Sequence, residues 1–258
     1  MAKRQPETKI ATCNADQILV RDKDLVEELI GKISFTDMIY FHILNRMPTE
    51  TETKVLDSVL VTLMEHGFTP SAIASRMIAM SDPTAIQSAV AAGLLGVAGT
   101  FVGTMEGAAK NLYTILESDL GVEAAAEKIA QEYRTAKKPI PGFGHPIHIP
   151  DDPRSPKLFE VALEAGVDGK YIDAMKVLSR KVDEAWGRHL TINATGAIGA
   201  VLCEIGIPWD IMRGVAVISR AAGLVGHFAE EKAMPSGNYM WNTIEEQIPY
   251  TGERKLGE

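Results

Sequence analysis

Cysteine is almost absent from this chain. Cys13 and Cys203 are the only two in 258 residues, and neither sits in the close spacing of a metal knuckle or a redox pair. A disulfide scaffold is therefore excluded, no metal is expected, and a reduced cytoplasmic setting is the default. Excess positive charge is missing too. Lys and Arg number 26 against 34 Asp and Glu, for a net charge of −8. Neutralising phosphates needs a basic surface, so nucleic acid is not an expected partner. No G-x-x-x-x-G-K-[ST] loop occurs, so no ATP-gripping module is expected. The opening MAKRQPETK lacks the apolar run of a signal peptide. No sustained segment alternates with period two, so strands are minor.

One segment, Pro83 to Met105, lacks charge altogether and is long enough to span a bilayer. Its Ala, Gly, Thr, Ser and Gln content, its acidic flanks Asp82 and Glu106, and the absence of basic anchors argue against that. Gly99, Gly103 and Gly107 recur every four residues, a spacing that lets helix backbones approach closely. The segment reads as two buried helices of a core or subunit interface.

What is present is mostly helical pattern. Apolar residues make up 46% and charged residues 23%, ordinary for a soluble globular chain. Asp24–Lys32 reads as a short helix. Ser34 and Asp37 form a capping pair ahead of MIYFHILNRM. Val55, Val59, Leu60 and Leu63 mark a helix over Thr51–His66. Val122–Lys137, Lys170–Leu190 and Trp209–Ala233 are further helices. Pro70, Pro83 and Pro208 stand where helices can begin. Residues 1–20 and 251–258 read as tails or short extensions.

The densest chemistry lies in Pro139–Arg154, PIPGFGHPIHIPDDPR. Proline and glycine rule out a helix interior, and a rigid loop leaves main-chain groups to face a ligand. His145 is a side chain there that exchanges protons near neutral pH, alongside His148. Arg154 offers a planar fork suited to a carboxylate. Arg134, Lys137 and Lys138 lie just upstream.

PGFGHPIH followed by DPR, together with Ser219-Arg220-Ala221-Ala222-Gly223-Leu224, resembles the citrate synthase family in its wide sense, which includes citryl-CoA lyases and the cleavage module of ATP-citrate lyase. The resemblance runs from about Val61 to Tyr250. It implies an all-α, citrate synthase-like fold. A large helical domain would take residues 20–110 and 219–258, and a smaller one, 111–218, would be inserted, with the active site in a cleft. It implies homodimers or dimers of dimers and coenzyme A as co-substrate or thioester.

The resemblance also assigns residues. His145 matches the family's second catalytic histidine and becomes the base toward a substrate hydroxyl. Pro141, Gly142, Phe143 and Gly144 read the adenine of coenzyme A through their backbone, and Arg134, Lys137 and Lys138 meet its phosphates. Arg154 and Arg220 clamp carboxylates. His148, His66 and His227 are read as structural.

Several positions depart from the family pattern. The first catalytic histidine is replaced by Phe101 (or Val102 with a shifted gap), as in lyase members, which turns the expectation from citrate synthesis toward cleavage. In Ile192-Asn193-Ala194-Thr195-Gly196-Ala197, Thr195 falls on the catalytic aspartate, with Asn193 beside it. Threonine exchanges hydrogen bonds but is no base at neutral pH; its alternative role is a helix N-cap. Glu106, or a water on Thr195 and Asn193, is then the candidate proton source. The family's third arginine has no match in SGNYMWNTIEEQIPY, and Ser71–Ser75 occupies the place of the upstream histidine. Fewer clamps imply a substrate with fewer carboxylates than citrate. The implied activity is cleavage of citryl-CoA or a related 3-hydroxy-carboxyacyl-CoA, against a condensing enzyme or a non-catalytic acyl-CoA binder.

Overall fold

Capping and proline signals set several helix starts. The structure, a computed structural model, describes residues 5–99 and 102–252. The helices are α1 Phe35–Leu44, α2 Glu50–Met64, α3 Pro70–Ser81, α4 Ile86–Leu95, α5 Thr104–Leu116, α6 Val122–Thr135, α7 Arg154–Ala165, α8 Lys170–Trp186, α9 Ala194–Glu204, α10 Met212–Ala233 and α11 Gly237–Gln247. Ser34 and Asp37 form the expected reciprocal capping box of α1. Pro70 is the first residue of α3 behind the N-cap Thr69. Pro83 does not begin a helix. Asp82 Oδ1 accepts from Thr84 N and Oγ1, which holds a turn there, and α4 starts three residues on.

The chain divides into two compact units, residues 1–59 with 104–212 and residues 60–103 with 213–258. Residues 20–59 fall in the same unit as 104–212. Tyr40 in α1 is fully buried and donates its hydroxyl to Ile205 O at 2.8 Å. Thr51 Oγ1 donates to Ala165 O at 2.6 Å.

The first unit opens with three short strands, β1 Ala11–Cys13, β2 Ile18–Val20 and β3 Lys23–Asp24. They pair antiparallel in that order, with Thr12 opposite Leu19 and Val20 opposite Lys23. Of the two readings of residues 1–20, tail or short extension, this part is an extension with a hairpin in it. Val20 packs with Leu29 and Phe41, and that burial gives the hairpin a face to rest on. Asp24 caps a π-helical turn over Leu25–Leu29, in place of the longer helix expected. Glu204, the last residue of α9, accepts from Gly169, Tyr171 and Ile172 N–H groups, which fixes the start of α8.

The second unit centres on α3, α4 and α10, where Ala79, Ala89 and Phe228 pack together. Of the glycines spaced by four, only Gly107 lies in a helix, because the chain turns between α4 and α5. Among the described residues no helix is long and apolar enough to cross a membrane.

Candidate active site

The proline-rich loop is tied into the first unit by its own backbone. Phe143 pairs with Ile192 in an antiparallel bridge. Asn193 N–H donates to Gly142 O at 3.0 Å and Gly144 N–H to Thr191 O at 2.8 Å. Asn193 Nδ2 adds a bond to Gly144 O at 2.9 Å. Three main-chain groups expected to face a ligand are thus used internally. Partly buried backbone must be paired, and residues 191–193 run beside the loop to pair it.

Glycine makes this approach possible. Gly142 has φ +88°, and a Cβ on Gly196 would fall 2.4 Å from Gly142 O. The loop therefore lies backbone to backbone on the first turn of α9. A Cβ on Gly107 of α5 would meet Pro141 at 2.8 Å.

Asn193, not Thr195, is the N-cap of α9, and its Oδ1 accepts from Gly196 N–H at 3.1 Å. Thr195 Oγ1 donates to the same Oδ1 at 2.7 Å and lies 2.7 Å from Thr104 Oγ1. His145 follows directly on Gly144. Its Nδ1 accepts from the N–H groups of Ile147 at 3.1 Å and His148 at 3.0 Å. A neutral ring in that arrangement carries its proton on Nε2. The His145 and His148 rings lie 4.4 Å apart, centroid to centroid.

Arg154 opens α7, and its fork is occupied. Nε reaches Asp152 Oδ1 at 2.9 Å and Nη2 reaches Oδ2 at 2.7 Å. Asp152 is wholly buried. It also accepts from Arg154 N and Ala194 N, so one carboxylate caps both α7 and α9. Burial pushes the carboxyl up, but the Arg154 hydrogen bonds outweigh it and hold the group at about 2. The three bases upstream, Arg134, Lys137 and Lys138, are exposed at the end of α6. Arg134 lies over the Trp186 ring at 5.7 Å.

In the second unit, Arg220 Nη2 donates to Leu63 O at 3.2 Å. Its Nη1 is buried without a hydrogen-bond partner among the described residues, 3.9 Å from Glu65 Oε1. Burial lowers the pKa of this guanidinium, and Glu65 opposes that. Behind it lies a network that sequence reasoning missed. Buried Arg76 donates Nε to His227 Nδ1 at 2.9 Å and Nη1 to Glu231 at 3.0 Å, and pairs with Glu230. His227 Nε2 lies 2.9 Å from Glu65 Oε2. A lone arginine in the apolar helix SAIASRMIAM was the available signal, since buried charge demands partners. Phe101 lies outside the described residues.

A family model described as the C-terminal domain of citrate synthase matches residues 7–240. The chain belongs to the citrate synthase family. Its fold is shared with the solved citryl-CoA lyase of Hydrogenobacter thermophilus, at 30% identity and a TM-score of 0.87, over 99% of this chain and 98% of that one. ATP citrate lyase of Methanothrix soehngenii, solved with citrate and coenzyme A, matches in fold with a TM-score of 0.79 at 21% identity, over 98% of this chain and 43% of its own. The 2-methylcitrate synthase of Shewanella oneidensis is 27% identical over 220 residues, 81% of this chain and 56% of its own length. This family member thus spans about half the length of the curated synthases it matches. The all-α expectation holds, with the short β1–β3 sheet added.

Proposed function

We propose that this chain is a carbon–carbon lyase that cleaves citryl-CoA, or a related 3-hydroxy-carboxyacyl-CoA, to acetyl-CoA and a 2-oxo acid such as oxaloacetate. The observation that carries this reading is the end-to-end likeness to a citryl-CoA lyase, 99% of one chain on 98% of the other. The synthases, by contrast, are matched over about half their length.

In cleavage the substrate hydroxyl loses its proton and becomes a carbonyl. The carbon–carbon bond breaks, and its electron pair leaves on the acetyl-CoA enolate, whose carbon then takes a proton. We assign the hydroxyl proton to His145. Holding Nδ1 as an acceptor keeps the ring proton on Nε2, so accepting at Nε2 requires the 145–148 turn to release Nδ1. Arg220, with its unfilled Nη1, is assigned to a substrate carboxylate. Arg154, engaged with Asp152, is left to bind through whatever its fork does not give to that partner. Coenzyme A is the thioester carrier, held by residues 141–144 and the bases Arg134, Lys137 and Lys138. Thr195 has no carboxylate to draw a proton from carbon, so it is read as a hydrogen-bonding group beside the reacting atoms.

A second reading, condensation of acetyl-CoA with a 2-oxo acid, is favoured by one observation. The Nε2–H state of His145 is the one that donates to a carbonyl oxygen. Exposed Tyr239, Trp241, Ile244 and Ile248 of the α11 region support self-association into dimers or dimers of dimers in the cytoplasm. The deciding experiment is incubation with citryl-CoA in one arm and acetyl-CoA plus oxaloacetate in the other, with thioester products followed by mass. Release of acetyl-CoA in the first arm is expected. Binding of acyl-CoA with no turnover in either arm makes the chain a non-catalytic binder and overturns the proposal.

A further inference from the structure

We infer that Thr104 is a positioning residue for His145, at the head of a hydrogen-bond chain whose polarity the backbone fixes. Gly144 O can only accept, so the group at 2.9 Å is the Asn193 amide nitrogen. The other amide atom of Asn193 is then its oxygen, and it receives Gly196 N–H at 3.1 Å. The side chain is therefore locked in one orientation by two main-chain groups.

That oxygen also receives the Thr195 hydroxyl at 2.7 Å. Thr195 has one proton, and it is spent there. The 2.7 Å contact between Thr195 and Thr104 hydroxyls is then donated by Thr104. The chain runs Thr104 O–H to Thr195, Thr195 O–H to Asn193, Asn193 N–H to Gly144 O. It joins the first residue of α5 to the first turn of α9 and ends on the peptide plane from which His145 springs. The N–H of Gly144 is held by Thr191 O at 2.8 Å, so the residue before His145 is fixed at both its polar groups.

Two consequences follow. Thr195 offers a substrate an acceptor and no proton, so the place of the family's carboxylate keeps its acceptor character without its charge. And loss of the Thr104 hydroxyl removes the donor that anchors Thr195 Oγ1 against Asn193, which loosens the Gly144–His145 plane. Neither consequence needs Thr104 to touch substrate. The inference rests on the proposed role of His145.

The test compares Thr104→Val with Thr104→Ser in the full chain. Turnover of citryl-CoA is expected to fall about three- to tenfold in the valine variant, the usual worth of one hydrogen bond, with KM little changed. Serine keeps the hydroxyl and is expected to stay within about twofold of the wild type. The second readout is the 15N spectrum of the His145 imidazole. Wild type and serine variant should show an unprotonated Nδ1, and the valine variant a mixture of tautomers. Equal losses for serine and valine, or a valine variant with unaltered turnover and imidazole spectrum, overturn the inference. If Thr104→Val does not fold, Thr104→Ala replaces it in the same comparison. If the wild type turns over no substrate, the proposed function fails, and the imidazole spectra still decide this point.

Discussion

Asp152 and Arg154 form a bidentate ion pair across a single residue, with one carboxylate oxygen at 2.9 Å and the other at 2.7 Å from the guanidinium. The arginine that sequence reasoning reserves for a substrate thus has an internal carboxylate as its resting partner. Replacing Asp152 by Ala leaves that guanidinium unpaired and strips α7 and α9 of a shared cap. A loss of about 3 kcal/mol in denaturant unfolding is expected. The pH dependence has a definite sign. The folded carboxyl is held at about 2 against an ordinary 3.8, so its stabilisation is full above the ordinary value and is lost as pH falls toward the lower one. The shift corresponds to about 2 kcal/mol. Acid unfolding of Asp152→Asn should be flatter over that window; an unchanged slope contradicts the assignment.

His145→Ala should lower turnover about 10²- to 10⁴-fold, the usual contribution of a positioned acid or base. Coenzyme A affinity, measured by calorimetry, should change little, because the proposed nucleotide contacts belong to residues 141–144 and not to this side chain. An alanine variant with wild-type turnover removes His145 from the mechanism.

Thr195→Asp tests the departure from the family pattern. A carboxylate there has no proton for Asn193 Oδ1, which now receives one at 2.7 Å, so repulsion between the oxygens is expected. Native turnover should drop, with the thermal midpoint lowered by a few degrees, about 1 kcal/mol for a domain of this size. A rise in citryl-CoA cleavage instead marks an ordinary lyase that one residue had impaired.

His189 bridges Asp183 at 2.7 Å and Asp151 at 3.0 Å. The Asp183 bond, then the Asp151 bond, raises its pKa above the ordinary 6.5. Sign follows from that direction: the stabilisation is full below the ordinary value and fades as pH rises through the raised one. The fall in thermal midpoint from mildly acidic to mildly alkaline buffer should be smaller in His189→Gln. An equal fall in both proteins assigns the pH dependence elsewhere.

Gly196→Ala places a methyl 2.4 Å from Gly142 O, a backbone atom that cannot rotate away. Overpacking of about 1–3 kcal/mol is expected, together with weaker coenzyme A binding as the 141–144 loop is displaced. Unchanged stability and affinity would show that the loop does not need this contact.

Local chemistry carried what the sequence determined by itself. The Ser34–Asp37 capping box, the proline start of α3 and the periodicity of α6 and α8 each depend on residues a few positions apart, so spacing alone exposes them. The GFGH loop, DPR and SRAAGL stretches were legible for the same reason and led to the family. Other features were decided only by folding. Nothing near Ala11–Val20 announces that Val20 will find Leu29 and Phe41, so the hairpin read only as a tail or short extension. Thr104 and Thr195 are 91 residues apart, and Arg76 and His227 are 151 apart. A hydroxyl or guanidinium reveals in sequence that it needs a partner, not which one. That choice belongs to packing, which decides which buried donors and acceptors come within reach of one another.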